Sequence, residues 1–292
     1  VATGRVARGL LAAVHDHAAV ASLKAPRVYA GEPEPPFLGR PAPLEPGLSE
    51  ADPSPVDSDV RRPPGLAETG RGVIVAVIDW GLDFAHDDFR RADAGTRLLA
   101  LWDQRAVGTP SPYGYGAIYD RPQIDAALRT ADPFTALGYR PSLSSLPAHG
   151  THVMGIAAGN GAAGGPEGVA PDADMVFVHL GPGLGDLGNS VDLLEAVDFV
   201  IRTAGPRPVV LNLSIGRHAG PHDGTLLIER AIDWLIVNRP GTVVVQSTGN
   251  YFARNIHMQG RLREAKTAYL PFRLPQSDDQ PVTVELWYKG AD

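Results

Sequence analysis

Four largely apolar runs give the chain its frame. Val73-Ile74-Val75-Ala76-Val77-Ile78 is the clearest. A continuous, mostly β-branched run of this length predicts a parallel strand buried on both faces. Met175-Val176-Phe177-Val178, Val209-Val210-Leu211-Asn212-Leu213 and Thr242-Val243-Val244-Val245 repeat the pattern. Between them the apolar positions shift to helical spacing. Ser190 is a good N-cap for a helix carrying Leu193, Leu194, Val197 and Ile201, which closes near Gly205. A second helix is expected from about Thr225 to Asn238, with Leu227, Ile228, Ala231, Ile232 and Leu235 facing inward. Strands alternating with helices predict an α/β fold, a doubly wound and mostly parallel sheet.

Outside these runs the pattern loosens. Residues 1–30 read as a small piece, with a helix within Val6–His17 and then a strand at Val20–Leu23, packed on the main domain. Residues 31–69 carry Pro33, Pro35, Pro36, Pro41, Pro43 and Pro46 among acidic residues, the composition of an extended linker. The organised domain spans 70–255. Within it, 91–147 reads as an insertion on the functional edge of the sheet, with a strand at Leu98–Trp102 and a short helix at Gln123–Arg129. Residues 256–292 end in an alternating strand, Val282–Tyr288. The stretch Ala148–Gly159 is expected to be a helix with His149 in its first turn. Gly150 and Gly155 each cost a helix about 1 kcal/mol, so something must approach the backbone closely there.

Composition narrows the functional classes. The 292 residues are 43% apolar and 20% charged, as in a globular protein with a full core. Net charge is −7, and no basic run exceeds Arg61-Arg62, which argues against a nucleic-acid partner or a polybasic membrane contact. No apolar run reaches the roughly 18–20 residues of a membrane span. With no cysteine, thiolate nucleophiles, disulfides and Cys-ligated metals are excluded. Compartment and oligomeric state stay open.

Candidate chemistry gathers where the runs end. Asp79 closes the first run, His149 opens its helix, Ser214-Ile215-Gly216 follows the third run and Gly249-Asn250 the fourth. The C-terminal edge of a parallel sheet is where ligands bind. An acid, a histidine and an amide donor suggest acyl transfer: the acid orients the imidazole, the histidine shuttles a proton, the amide receives an oxyanion. Duller roles stand beside these, with Asp79 as a turn cap and His149 capping a core helix. His152 is expected to be structural, and His218 and His222 solvent-facing loop residues. Asp83, His86, Asp87 and Asp88 resemble a metal cluster, but carboxylates in a turn commonly serve as caps.

Val77-Ile78-Asp79-Trp80-Gly81, His149-Gly150-Thr151-His152-Val153, Leu213-Ser214-Ile215-Gly216 and Ser247-Thr248-Gly249-Asn250 resemble the motifs of subtilisin-like serine proteases, in the same order. The resemblance runs from about Gly70 to Asn250. It implies a serine endopeptidase acting on peptide or protein substrates and needing no cofactor. Asp79 and His149 would be the first two members of an Asp-His-Ser triad, with Asn250 the oxyanion donor. Ser214, Ile215 and Gly216 would form a substrate-pairing edge. Residues 1–30 would be a prodomain-like piece. The sequence departs from the family in several places. Trp80 replaces a small hydroxyl residue. The short Asn160–Gly168 loop gives no support for the structural calcium site of the secreted enzymes. The long spacing between Asp79 and His149 is closest to the bacterial branch that includes clostridial spore-germination proteases, where a β-rich jelly-roll insert precedes the serine. No Gly-Thr-Ser-Met/Leu-Ala segment occurs, so the chain is expected to be a fragment ending inside that insert, inactive alone. The alternative is a pseudoprotease of the same fold, acting as a binding or regulatory module. An unrelated α/β binding protein is a more distant possibility.

Overall fold

The computed structural model describes residues 6–7, 10–15, 28–30, 62, 65–107, 111–141, 148–181, 186–216, 220–249, 258, 260, 267, 269 and 284–288, with 15, 28–30 and 186–189 described by backbone alone. The elements in chain order begin with α1 (Leu11–His15), β1 (Val28–Ala30), β2 (Ile74–Asp79), β3 (Leu98–Asp103), β4 (Ala117–Asp120), α2 (Arg121–Ala127) and α3 (Pro133–Leu137). They continue with α4 (His149–Ala158), β5 (Asp174–His179), β6 (Asp186–Asn189), α5 (Ser190–Ala204), β7 (Val209–Leu213), α6 (Leu227–Val237) and β8 (Thr242–Gln246).

Six strands form one sheet in the order β4-β3-β5-β2-β7-β8, all parallel except β4. β2 lies inside it, paired with β5 on one side and β7 on the other. Its alternate residues feed two cores. Ile74, Ala76 and Ile78 pack with α5 through Leu193, Val197 and Val200. Val75 and Val77 pack with Met154 and Ala158 of α4 and with Ile124 of α2. Helices thus cover both faces, as a doubly wound sheet requires. Each aliphatic side chain so buried contributes roughly 1.5–3 kcal/mol. β1 and β6 make a separate antiparallel pair.

Several expectations need correction. The segment 91–147 is not an insertion on the edge: β3 pairs with β5 inside the sheet, β4 extends it, and α2 packs beneath. The short helix starts two residues early, at Arg121, because Asp120 and Gln123 form a capping box with proline in the first turn. Only Leu11–His15 of the expected N-terminal helix is helical among the described residues. α6 turns less of itself inward than its periodicity implies. Ala231 is buried, Ile228 and Leu235 are partly so, and Leu227 is exposed. Residues 284–288 form no strand, and Val284, Leu286 and Tyr288 are exposed, for no described neighbour offers them a ladder. Val20–Leu23, His218 and Asn250 lie outside the described residues. Among the described residues no helix is long and apolar enough to cross a membrane.

Candidate active site

Parallel register brings the sequence candidates to one edge. Asp79 is level with His179 of β5, Ile78 with Leu213 of β7, and Leu213 with Gln246 of β8. Asp79, Ser214 and Ser247–Gly249 therefore emerge at the C-terminal ends of three adjacent strands. α4 joins them through the turn after β2. The Gly150 N–H donates to the Trp80 carbonyl (2.8 Å) and the Thr151 N–H to the Gly81 carbonyl (3.0 Å). The Asp83 N–H returns a bond to Thr151 Oγ1 at 2.7 Å. Amides that a helix start leaves unpaired are thus spent on fixing the helix to the acid's own turn.

Two glycines make this approach possible. Gly81 has φ +70°, and a Cβ on it would collide with the Pro141 carbonyl and Ala148. A Cβ on Gly150 would stand 2.6 Å from the Phe177 ring and 2.7 Å from the Gly81 carbonyl. The close approach expected in this helix is therefore present at Gly150. At Gly155 a Cβ would meet nothing within 4 Å.

His149 Nδ1 lies 2.8 Å from Asp79 Oδ1 and 3.0 Å from Oδ2. A carboxylate only accepts, so Nδ1 carries the hydrogen and the lone pair is left on Nε2. The Asp79 side chain is 0% exposed, whereas that of His149 is 30% exposed. Burial pushes the Asp79 carboxyl up from the ordinary carboxylate range; the bonds from His149 and from the Trp80 N–H (2.6 Å) pull against it. The arrangement can take a proton at Nε2 and stabilise the resulting imidazolium. The indole of Trp80 stacks on the imidazole, with ring centroids 4.3 Å apart and planes 15° from parallel. Trp80 Nε1 is buried and has no hydrogen-bond partner among the described residues, an arrangement that costs about 1–3 kcal/mol.

Beside the pair sits His179, a buried residue that the sequence reading passed over. Its Nε2 accepts the Gly81 N–H (3.1 Å), so Nδ1 carries the hydrogen and donates to the Tyr139 hydroxyl oxygen (2.9 Å). That oxygen also accepts the Leu82 N–H at 2.9 Å. His179 and Tyr139 together hold the two amides that follow Trp80. Burial, and after it the Arg105 charge, keep the His179 ring well below its usual protonation range, and hence neutral. The available signal was a polar residue ending an apolar strand, the same signal that marked Asp79.

The other candidates fall in less constrained places. Ile215 is buried, Gly216 is exposed, and Ser214 Oγ lies 2.8 Å from Asn212 Nδ2, which donates to it. The Ile215 carbonyl accepts from Gln246 Nε2, which ties this edge to β8. His152 is exposed on α4 rather than part of its packing, and His222 is exposed with φ +55°. The metal-like residues have local tasks. Asp83 caps the Ala85 N–H (3.0 Å), His86 Nδ1 accepts the Asp88 N–H (3.2 Å), Asp88 accepts the Ala163 N–H (2.8 Å), and Asp87 lies 3.7 Å from Arg90. Among the described residues no group of three or more His, Cys, Asp or Glu is arranged to hold a metal ion.

Comparison with known proteins agrees with this architecture. Tripeptidyl-peptidase 2 of Drosophila melanogaster is 37% identical over 106 residues, 35% of this chain and 7% of that protein. Minor extracellular protease Vpr of Bacillus subtilis is 28% identical over 186 residues, 63% of this chain and 18% of that protein. The structure of the Clostridium perfringens CspB protease superposes with a TM-score of 0.52 at 28% identity, covering 61% of this chain and 36% of that one. The chain thus spans less than a fifth of either of these two curated relatives. The subtilase-family model matches residues 70–268, most of the chain including the whole six-stranded sheet, and the protein belongs to that family.

Proposed function

We propose that this chain supplies the acid–base half of a subtilisin-like serine endopeptidase, hydrolysing peptide bonds in peptide or protein substrates. The observation that carries the proposal is the Asp79–His149 pair, hydrogen-bonded at 2.8 Å with the acid fully buried, at the C-terminal edge of the sheet. The mechanism needs a serine nucleophile, and the proposal assigns that role to no residue of this chain. In the mechanism, His149 Nε2 takes the proton from the serine hydroxyl as its oxygen bonds to the substrate carbonyl carbon. Asp79 stabilises the imidazolium so formed. The Asn250 amide and a backbone N–H receive the developing oxyanion, and His149 then passes its proton to the leaving amine as the peptide bond breaks. Water repeats the cycle on the acyl-enzyme. The Ser214–Gly216 edge pairs with the substrate backbone.

The test is a fluorophosphonate probe on the full-length protein. Labelling should be strong in the wild type and fall roughly 10⁴-fold or more in His149→Ala. Absence of labelling, or labelling indifferent to His149, would sink the endopeptidase and point to a binding module of the same fold.

A further inference from the structure

Trp80 takes no part in the hydrolytic steps, yet its indole lies on the face of the imidazole that performs them, 4.3 Å between centroids. The Asp79 bond alone does not fix that imidazole. A hydrogen bond at Nδ1 acts at one corner of the ring and by itself permits tilting about the N–H···O axis. A stack on the face removes that freedom. The stack is itself preset, because residue 80 is anchored on both sides of its side chain. Its N–H donates to Asp79 Oδ1 (2.6 Å) and its carbonyl accepts the Gly150 N–H (2.8 Å). The buried indole N–H finds no partner among the described residues, so ring contact rather than a side-chain hydrogen bond accounts for the placement.

Building on the proposal that His149 is the general base, we propose that Trp80 is its positioning residue: the stack fixes the imidazole plane about the Asp79 bond and favours imidazolium over the neutral ring. The face of an indole is the negative end of its quadrupole and attracts a cation more than a neutral ring. Five further groups matter for the charge balance. Asp79 from β2 is in contact and works in the same direction. His179 from β5, beside Asp79, is neutral. Asp83 lies in the turn bonded to Thr151, and His152 is exposed on the same helix as His149. From β7 the neighbouring Ser214 carries no charge. A stack favouring imidazolium makes Nε2 a stronger base at the moment it accepts the serine proton.

The experiment follows His149 directly, in the full-length protein labelled with ¹⁵N-histidine, with His149→Ala identifying the resonance. In Trp80→Leu the titration midpoint of His149 should fall by about half a pH unit, the size of one cation–ring contact, and Trp80→Phe should restore most of it. The acid limb of kcat/KM should move by the same amount, with kcat lowered and KM unchanged. An unmoved midpoint in Trp80→Leu overturns the inference. If that variant does not fold, indole emission serves instead. The wild type should dim as pH falls across about 8 to 5, by quenching that is missing in His149→Ala; identical traces overturn it. A shifted midpoint in a protein that hydrolyses nothing removes the peptidase reading and leaves the stack in place. Hydrolysis with an unshifted midpoint does the reverse.

Discussion

β2 and β8 are built from nearly the same material, Ile-Val-Ala-Val-Ile-Asp and Thr-Val-Val-Val-Gln, two places apart in one sheet. Every residue of β2 is buried, whereas Val243 and Val245 of β8 are 51% and 47% exposed. The apolar run specifies a strand in both cases; neighbours decide what the strand is worth. β2 has strands on either side and helices on both faces, so Asp79 is held by packing it shares with the whole domain. β8 is bonded to β7 alone among the described strands, and the residues that follow it share that lighter support. The Asp79–His149 pair therefore rests on the buried middle of the sheet, while Ser247–Gly249 continue its lightly supported margin.

This contrast can be broken most severely at Gly150. A methyl group there meets an aromatic ring and a backbone carbonyl, neither of which can easily give way. Gly150→Ala should lower unfolding stability by roughly 3 kcal/mol, the upper part of the usual range for overpacking, as read from the urea midpoint. A gentler version applies one substitution to both strands. Val77→Thr places a hydroxyl among the core residues of β2 and should cost about 1–3 kcal/mol, while Val243→Thr on β8 should stay within about 0.5 kcal/mol. Equal losses at the two positions would mean that β8 is covered in solution.

The smallest effect concerns pH. His179 is kept neutral in the fold, while the unfolded chain protonates it near its ordinary value of 6.5. Its contribution to stability is complete above that pH and is lost as the pH falls from there toward the depressed folded-state value. The slope for one proton cannot exceed about 1.4 kcal/mol per pH unit. His179→Gln, which keeps an acceptor for the Gly81 amide, should flatten the fall in urea midpoint between about pH 6.5 and 5.5 relative to the wild type. An unchanged slope would place the acid sensitivity elsewhere.

Residues whose role follows from their place in a run could be read directly. Asp79 interrupts an apolar strand at its functional end, and His149 opens a helix of small residues, so both announced themselves. Gly150 predicted a close approach that Phe177 supplies. His179 and Tyr139 did not emerge, because their bond joins residues 40 positions apart and depends on how 91–147 folds. The placement of β3 between β4 and β5 was hidden for the same reason: its run identifies a strand but names no neighbours. β6, Asp-Leu-Gly-Asn, has no strand signature at all and is extended because β1 bonds to its backbone. Trp80 was visible as a departure from the family, but only coordinates could place its ring on the imidazole.

The β1–β6 pairing has a kinetic consequence. Joining Ala30 to Asp186 closes a loop that contains β2, β3, β4 and β5, yet loop closure grows only logarithmically with length. A two-stranded ribbon is marginal alone, so it gains its footing only once β6 has been placed by the finished sheet. The pairing is expected to form late and open early, so amides of β1 and β6 should exchange hydrogen faster than those of β2. Its release breaks no hydrogen bond of the six-stranded sheet. β1 is fastened to β6 like a latch, able to lift by local unfolding while the six-stranded sheet stays folded.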